Sequence, residues 1–212
     1  MKDPRILILA FSSLLTPVFG AEPVPVEGQP LAANARRLIA ALQFLGTPFE
    51  DSLTGQLNEA IAQQDPNAIQ ELLDPRVLVE VSLNPEVRVK AERGPGKATL
   101  LQHGYTPVLI KVINQSTSTA ALRIQSPQAG PLYAGEADLS MRRQAQTQLK
   151  SDLPGNKPIP PDRFLDVSVY RNPPMTRNLS GLEVEYVVAL LYSTDAGKRE
   201  ATLGFDAVSY TH

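Results

Sequence analysis

The sequence predicts a mainly β protein, an antiparallel β-sandwich of the Ig-like or C2-like kind, preceded by a small segment of about three α-helices. Hydrophobic residues alternate with polar ones through most of residues 75–210, which is the period of a strand. Glycine, proline and asparagine interrupt this alternation at short intervals, as turns between about seven or eight strands would. Before residue 75 the apolar spacing is that of helices.

The predicted helices lie within residues 31–74, with bounds at 31–45, 53–64 and 66–73. Gly46 suits the residue after the first helix, because glycine tolerates a left-handed conformation. Asp51 or Ser52 is expected to cap the second helix. Asp65 is expected to cap the third, since Pro66 fits the first helical position without losing a needed N–H group.

The stretch from Tyr105 to Ser126 is the predicted centre of the sheet. It begins with a strand that carries apolar side chains on both faces, so that much of both sides should be covered. Asn114 to Thr119 predicts a turn, and Ala121 begins a second strand. Other strands are predicted at 77–82, 87–91, 98–102, 164–170, 182–192 and 201–207.

The last two of these strands are predicted to form a hairpin around Thr194–Gly197. The alternation also predicts inward rows of core side chains, which a sandwich core needs from both of its sheets. Lys111 lies between the inward residues Ile110 and Val112, so its side chain is expected to point to solvent. The predicted core residues are Val108, Ile110, Val112, Leu122, Val167, Val184, Tyr186, Val188, Leu190, Leu203 and Phe205.

Residues 1–20 have the layout of a secretory signal peptide. Lys2 and Arg5 precede an apolar run from Ile6 to Leu15, which is shorter than the about 20 residues of a membrane span. The sequence therefore predicts a secreted or periplasmic protein. Residues 21–30, rich in proline, are expected to be an extended and mobile leader.

Residues 127–161 are predicted to cross the surface as a Pro-rich segment of the sandwich. Glycine and proline are frequent at both of its ends. A strand-like piece is expected near Leu132 and Tyr133, and one or two helical turns between Ser140 and Leu149.

Composition excludes several kinds of site. The chain has no cysteine and 2 histidines, so a disulfide framework or a cysteine-ligated zinc cannot form. The net charge of −2 gives no general attraction to nucleic acid. We predict no catalytic, cofactor-binding or metal-binding residues, no cofactor and no nucleic-acid partner.

The histidines and carboxylates are weak candidates for chemistry. His103 and His212 are the only imidazoles, and no G-x-S-x-G motif is present, so His103 is best interpreted as an exposed loop residue. Glu183 and Glu185 are expected on the outward face of one strand. Four aspartates in or beside the crossing offer oxygen ligands for Ca²⁺, although they lack the spacing of an EF-hand: Asp138, Asp152, Asp162 and Asp166.

Two further groups of residues have a possible binding role. A basic cluster near one strand would hold an anionic glycan or phosphate, or would simply keep an edge strand from pairing: Arg88, Lys90, Arg93 and Lys97. Five tyrosines would offer a sugar-stacking platform, but the chain lacks the tryptophan that such platforms favour: Tyr105, Tyr133, Tyr170, Tyr186 and Tyr192.

Four phrases of the sequence resemble one protein family. They are LLDPRVLVEVSLNPEVRVKAERGP, GYTPVLIKVINQSTSTAALRIQSPQAGPLYAG, RFLDVSVYRNPPMT and LSGLEVEYVVALLYSTDAGKREATLGFD. Together they are similar to the N-terminal region of large secreted bacterial proteins that carry a metallohydrolase domain of the PHP (polymerase and histidinol phosphatase) type further downstream. The resemblance covers roughly Leu31 to Asp206 and implies a sandwich. No residue of the family's metal site has a counterpart here, so no catalytic residue is carried over.

Three functions remain open from the sequence. The preferred hypothesis is an exported, non-enzymatic β-sandwich module with a binding or spacer role. The second is the N-terminal part of a PHP-type metallohydrolase protein, which would need a separate catalytic domain. The third is a carbohydrate- or Ca²⁺-binding sandwich. The expected partner is either such a catalytic domain or a polymer of the cell envelope.

Overall fold

The computed structural model describes residues 22–129 and 163–208, with the side chain of Val208 left out. The crossing and its predicted helical turns therefore lie almost wholly outside the described residues. In the described part the helices are α1 (Gly28–Phe44), α2 (Asp51–Gln63), α3 (Pro66–Leu73) and a 3-10 turn (Asp74–Arg76). The strands are β1 (Val77–Leu83), β2 (Val89–Arg93), β3 (Tyr105–Asn114), β4 (Ala121–Gln125), β5 (Leu165–Val169), β6 (Val184–Ser193) and β7 (Gly204–Val208).

The three helices confirm the predicted helical segment, although α1 and α2 begin earlier in the chain than predicted. Asp65 caps α3 as predicted, because its side chain accepts hydrogen bonds from the N–H groups of Asn67 and Ala68. The prediction for α2 is wrong at its start, since the N-cap residue is Glu50 and its side chain makes no capping bond. Gly46 follows α1 with a φ of 73°, the left-handed conformation that glycine favours.

The leader is attached to the helices rather than free in its described part. The fully buried Gln70 of α3 accepts a hydrogen bond from Val24 N and donates one to Val24 O, at 3.0 and 2.8 Å. α1 also begins at Gly28, inside the stretch predicted to be leader. The expectation of a mobile leader through residue 30 is therefore wrong for residues 24 and 28–30.

The larger sheet is mixed, which corrects the wholly antiparallel prediction. Its order is β2-β1-β3-β6-β5, and it curls into a half-barrel. β1 and β3 are parallel neighbours, whereas β1–β2, β3–β6 and β5–β6 are antiparallel. The physical reason is that β2 returns along the outer side of β1, so that β3 must start at the same end as β1. The predicted strand at 98–102 is absent apart from an isolated bridge at Gln102.

The two remaining strands form a separate ribbon, β4 with β7. The predicted hairpin of the last two strands is therefore wrong, because β7 leaves β6 and pairs with β4. The ribbon lies beside both edge strands of the half-barrel, with β4 next to β5 and β7 next to β2. A sandwich of two stacked sheets is not confirmed.

The larger sheet is covered on both faces, and each face has its own core. On the helix face, Leu109, Val184, Tyr186 and Val188 pack against α1–α3. On the ribbon face, the buried side chains from the sheet and the ribbon include Val81, Val108, Ile110, Val112, Leu122, Val187, Ala189, Leu191 and Ala207.

The predicted core residues therefore belong to two cores, one on each face of the larger sheet. Of these residues, Val167, Leu190, Leu203 and Phe205 are only partly buried, and the other seven are buried. Lys111 is also buried, with 1% of its surface exposed, because the helices cover the face to which it points. The prediction of an outward Lys111 is wrong.

Ile110→Ala should lower the free energy of unfolding by about 2–5 kcal/mol, because it leaves a cavity in the ribbon-face core. Ile110 is 0% exposed and lies in the middle of β3. Urea unfolding measures the loss. Leu101→Ala is the control, since Leu101 is 59% exposed and its truncation should cost under about 0.5 kcal/mol. Equal losses in the two variants would contradict the placement of Ile110.

Candidate functional site

One end of the half-barrel carries a cleft of about 1000 Å³, here called the mouth cleft. The start of β1, the end of β2, the start of β5 and the end of β6 all meet at this end. Two loops complete the walls, residues 94–104 and residues 194–203. The mouth of a β-barrel is a common place for a ligand, because it is concave and only partly filled by side chains.

The first wall is the loop at residues 94–104. It begins at Gly94-Pro95-Gly96, where the backbone comes very close to the start of β1. The N–H groups of Gly94 and Gly96 donate to the carbonyls of Leu78 and Val77, at 2.9 and 2.8 Å. A Cβ atom at Gly94 would come within 2.3 Å of Val77 O, so only glycine fits there. The Arg93 guanidinium donates to the carbonyls of Leu78, Gly94 and Gly96, which fixes this turn against β1.

The second wall is the loop at residues 194–203. Asp195 Oδ2 pairs with Arg199 Nε at 3.1 Å, and the Asp195 carbonyl accepts a hydrogen bond from Ser193. Thr202 N donates to Gln128 Oε1 at 3.0 Å, which attaches the loop to the segment that follows β4. Gly197 has a φ of 83°, as the predicted turn there requires.

The cleft combines an apolar floor with a polar rim. Leu78, Leu100 and Leu191 contribute the floor. Arg93, Asp195 and Arg199 are charged rim residues, and the contacts above already engage their charges. The arrangement suits a ligand with an apolar or ring-like body and hydrogen-bonding groups at its edge.

The structure separates the predicted basic cluster. Arg88 pairs with Glu86 and Lys90 with Glu92, both on the surface, while Arg93 binds backbone carbonyls. Lys97 is exposed. Lys90 and Arg93 belong to β2, which is an edge strand of the sheet.

The other predicted candidates are dispersed. His103 is exposed in a loop as expected, and its backbone N–H donates to the backbone carbonyl of Ser193 at 2.8 Å. Among the four aspartates, Asp166 accepts a hydrogen bond from the Tyr105 hydroxyl at 3.1 Å, and Asp138, Asp152 and Asp162 lie outside the described residues. His212 also lies outside them.

Two of the five tyrosines come together. The Tyr105 and Tyr192 rings have centroids 5.1 Å apart, and Tyr105 is 50% exposed. Tyr170 and Tyr186 are buried in the helix-face core, and Tyr133 lies outside the described residues. Tyr192 is buried, so Tyr105 is the described tyrosine of this set that offers an exposed ring for stacking.

A buried polar triad on the helix face was not predicted from the sequence. Lys111 Nζ donates to Asp74 Oδ2 at 2.7 Å, and the Tyr186 hydroxyl donates to Asp74 Oδ1 at 2.6 Å. Burial and the adjacent charge of Asp74 raise the pKa of the Tyr186 hydroxyl above its ordinary value. The triad joins the end of the helical segment to two central strands. The available signal was a lysine in a row of β3 that is otherwise apolar.

A second buried group, Glu185, was predicted on an outward face and is 1% exposed. That prediction is wrong because Glu185 lies opposite the core residue Val112. Its Oε2 accepts a hydrogen bond from Ser180 N at 2.9 Å, while its Oε1 has no hydrogen-bond partner among the described residues. Burial raises the pKa of the Glu185 carboxyl above its ordinary 4.5, against the lowering effects of Ser180 and Arg37.

Glu185→Gln should make the protein more stable than wild type at neutral pH. The folded-state pKa of Glu185 is raised, so the wild type loses stability as the pH rises from about 4.5 through that higher value. Glutamine keeps an acceptor for Ser180 N and carries no charge. Urea unfolding at several pH values should give a difference that is largest at neutral pH and shrinks on acidification. A difference independent of pH would contradict this assignment.

The described residues contain no helix with the length and apolar character of a membrane span. In the same parts of the chain, no three side chains of His, Cys, Asp or Glu come together as metal ligands would. No family model, curated protein or solved structure matches this chain.

Proposed function

We propose that this chain is an exported, non-enzymatic binding module that holds part of a cell-envelope polymer in its mouth cleft. The observation that carries the proposal is the cleft, with its volume of about 1000 Å³, its apolar floor and its rim of fixed polar groups. The Arg93 and Thr202 contacts attach its two wall loops to β1 and to the segment after β4. A preformed site of this kind binds without ordering a loop.

The export part of the proposal comes from the signal-like residues 1–20. Cleavage near Ala21 would deliver the protein to the periplasm or the medium. In this proposal the half-barrel and the β4·β7 ribbon act as the two layers of an Ig-like or C2-like sandwich, since Ile110 and Leu122 share one core. Mass spectrometry of protein recovered from the cell envelope tests export, and an intact Met1 would contradict it.

Ala98→Trp tests the cleft, because Ala98 is an exposed residue of its wall and tryptophan would fill it. Ala62→Trp, on the exposed side of α2, is the matched control. Isothermal titration calorimetry with soluble envelope polysaccharide fragments should show binding by the wild type and the control. Ala98→Trp should bind at least about tenfold more weakly, or about 1.4 kcal/mol.

A result in which Ala98→Trp binds as well as the wild type would contradict the cleft as the ligand site, and so would a lack of binding by the wild type. The non-enzymatic part has its own test. Hydrolysis of phosphoester, ester or glycoside substrates by the purified protein, lost on a point mutation, would overturn it.

A second candidate site for carbohydrate is the pair Tyr105 and Tyr192. The exposed Tyr105 ring offers a face for stacking on a sugar, and the Asp166 carboxylate beside its hydroxyl offers an acceptor for sugar hydroxyls. The same calorimetry distinguishes the two sites. Weaker binding by Tyr105→Ala with unchanged binding by Ala98→Trp would favour the tyrosines.

The resemblance to PHP-type metallohydrolase proteins supports a separate proposal, in which the module works beside a catalytic domain. The DNA downstream of the codon for His212 tests it. An in-frame or frame-shifted continuation with metal-binding motifs would support it, and an unrelated neighbouring gene would count against it.

A further inference from the structure

β2 is an edge strand of the half-barrel, and its hydrogen bonds show which residues face the free edge. Asn84 N donates to Arg88 O, and Gly94 N donates to Leu78 O, at the two ends of the β1–β2 pair. Bonded pairs alternate along an antiparallel ladder. Lys90 and Glu92 therefore bond to β1, and the backbone groups of Val89, Ala91 and Arg93 face outward.

The outward backbone groups are available for another strand. Within residues 22–129 and 163–208 none of them has a hydrogen-bond partner. β7 lies next to β2, but no hydrogen bond joins the two strands. The last four of the five residues of β2 are exposed, so the edge is accessible.

Charge restricts what can pair with this edge. The Lys90 and Glu92 side chains lie on one face of β2, 3.0 Å apart in an ion pair that is 71% and 58% exposed. An antiparallel copy of β2 centred on Ala91 would place each Lys90 directly opposite Glu92 of the other copy. Opposite charges in directly opposed positions stabilise a strand pair, and like charges destabilise it.

The alternative registers lack this complementarity. Pairing must match residues whose backbone groups face outward, so the two-fold centre lies on Val89, Ala91 or Arg93 or on a residue between two of them. A centre at Lys90 or at Glu92 would set that residue against its own copy, two like charges. A centre at Val89 would set Arg88 against Lys90, two like charges. A centre at Arg93 would set Glu92 against the uncharged Gly94.

We propose that β2 pairs with β2 of a second copy of this chain, antiparallel and centred on Ala91. The two five-stranded sheets then form one continuous sheet across a two-fold axis. Ala91 exchanges two backbone hydrogen bonds with Ala91 of the other copy, and Val89 does so with Arg93 of the other copy. The pairing needs no ligand in the mouth cleft, and Ala91, Glu92 and Arg93 line that cleft as well as the proposed contact.

A charge-swap series tests the register. Lys90→Glu and Glu92→Lys each set like charges against each other at both symmetric positions, so each single variant should weaken the dimer at least about tenfold. The double variant Lys90→Glu/Glu92→Lys restores opposite charges and should recover the dimer. Sedimentation equilibrium over a range of protein concentrations measures all four proteins. Both side chains are mostly exposed, so the fold should tolerate these changes.

Ala91→Pro tests the backbone pairing. Proline removes an N–H group that faces the free edge and leaves the β1–β2 bonds intact, as edge-strand proline does. It should abolish the dimer without lowering the unfolding temperature by more than a few degrees. A wild type that stays monomeric up to its solubility limit would overturn the proposal, and so would a dimer that persists in Ala91→Pro and in both single charge swaps.

Crosslinking supplies an independent measurement, because the chain contains no cysteine. The Cα atoms of a hydrogen-bonded antiparallel pair lie about 5.5 Å apart, within the range of a disulfide. Ala91→Cys should therefore form a covalent dimer on mild oxidation, and Ala62→Cys on α2 should not. Equal crosslinking of the two variants would show random collision and contradict the proposed pairing.

Discussion

Replacing Lys111 with alanine should lower the free energy of unfolding by about 3–5 kcal/mol, because Asp74 would keep a charge without its partner. The side chains of Lys111 and Asp74 are only 2% and 17% exposed, so water would compensate little of the lost interaction. Urea unfolding measures the loss. It would be a large share of a total stability that is usually about 5–15 kcal/mol.

Two comparisons separate the ion pair from a general effect of losing a lysine. Lys97→Ala removes an exposed lysine and should change stability by less than about 0.5 kcal/mol. Lys111→Met combined with Asp74→Asn removes both charges, and asparagine still offers an acceptor to the Tyr186 hydroxyl. This double variant should be more stable than Lys111→Met alone. If Lys111→Ala is as mild as Lys97→Ala, the buried triad is not formed.

Asn34→Ala should lower the free energy of unfolding by about 2–6 kcal/mol, since it leaves two buried backbone groups without partners at about 1–3 kcal/mol each. The Asn34 side chain donates to Tyr186 O at 3.0 Å and accepts from Tyr186 N at 2.8 Å, and it is 0% exposed. β5 pairs with β6 only from Ala189 onward, so at Tyr186, before that point, the side-chain amide of Asn34 takes the place of a neighbouring strand.

Thermal and urea unfolding of Asn34→Ala measure this effect. Asn58→Ala is the control, because Asn58 lies on the exposed side of α2 and alanine favours the helix slightly. Asn34→Asp tests the hydrogen bond that Asn34 donates separately from the one that it accepts. The carboxylate can accept from Tyr186 N but cannot donate to Tyr186 O, so this variant should also be destabilised. A loss in Asn34→Ala no greater than in the control would contradict the bidentate contact.

Local signals in the sequence predicted the elements well. The cap at Asp65 and the proline after it fixed the start of α3, and the alternation through β3 and β6 fixed two long strands. These features depend on residues close in the chain. Asn34 and Gln70 gave a further signal, since each is a polar residue on a helix stripe that is otherwise apolar, but only the structure shows which backbone groups they bind.

The arrangement of the elements was not predictable from local pattern. Whether Lys111 points to solvent depends on whether helices cover that face of the sheet, and no residue close to Lys111 in the sequence indicates that they do. The pairing of β7 with β4 instead of β6 depends on contacts between distant segments. The mouth cleft was missed for the same reason, because its walls come from four strands and two loops.

The pairing of β4 with β7 has a consequence for folding kinetics. Among the described strands, β1 with β2 and β5 with β6 are pairs of consecutive strands, whereas β3 pairs with β6 and β4 pairs with β7, the last described strand. Closing such long loops costs entropy before any contact is gained, and proteins dominated by distant pairings fold in about milliseconds to seconds. In a chain emerging from a ribosome or a translocation pore, the ribbon-face core would therefore stay incomplete until β7 has emerged and paired with β4. In that interval the apolar row of β3 is a surface for chaperones.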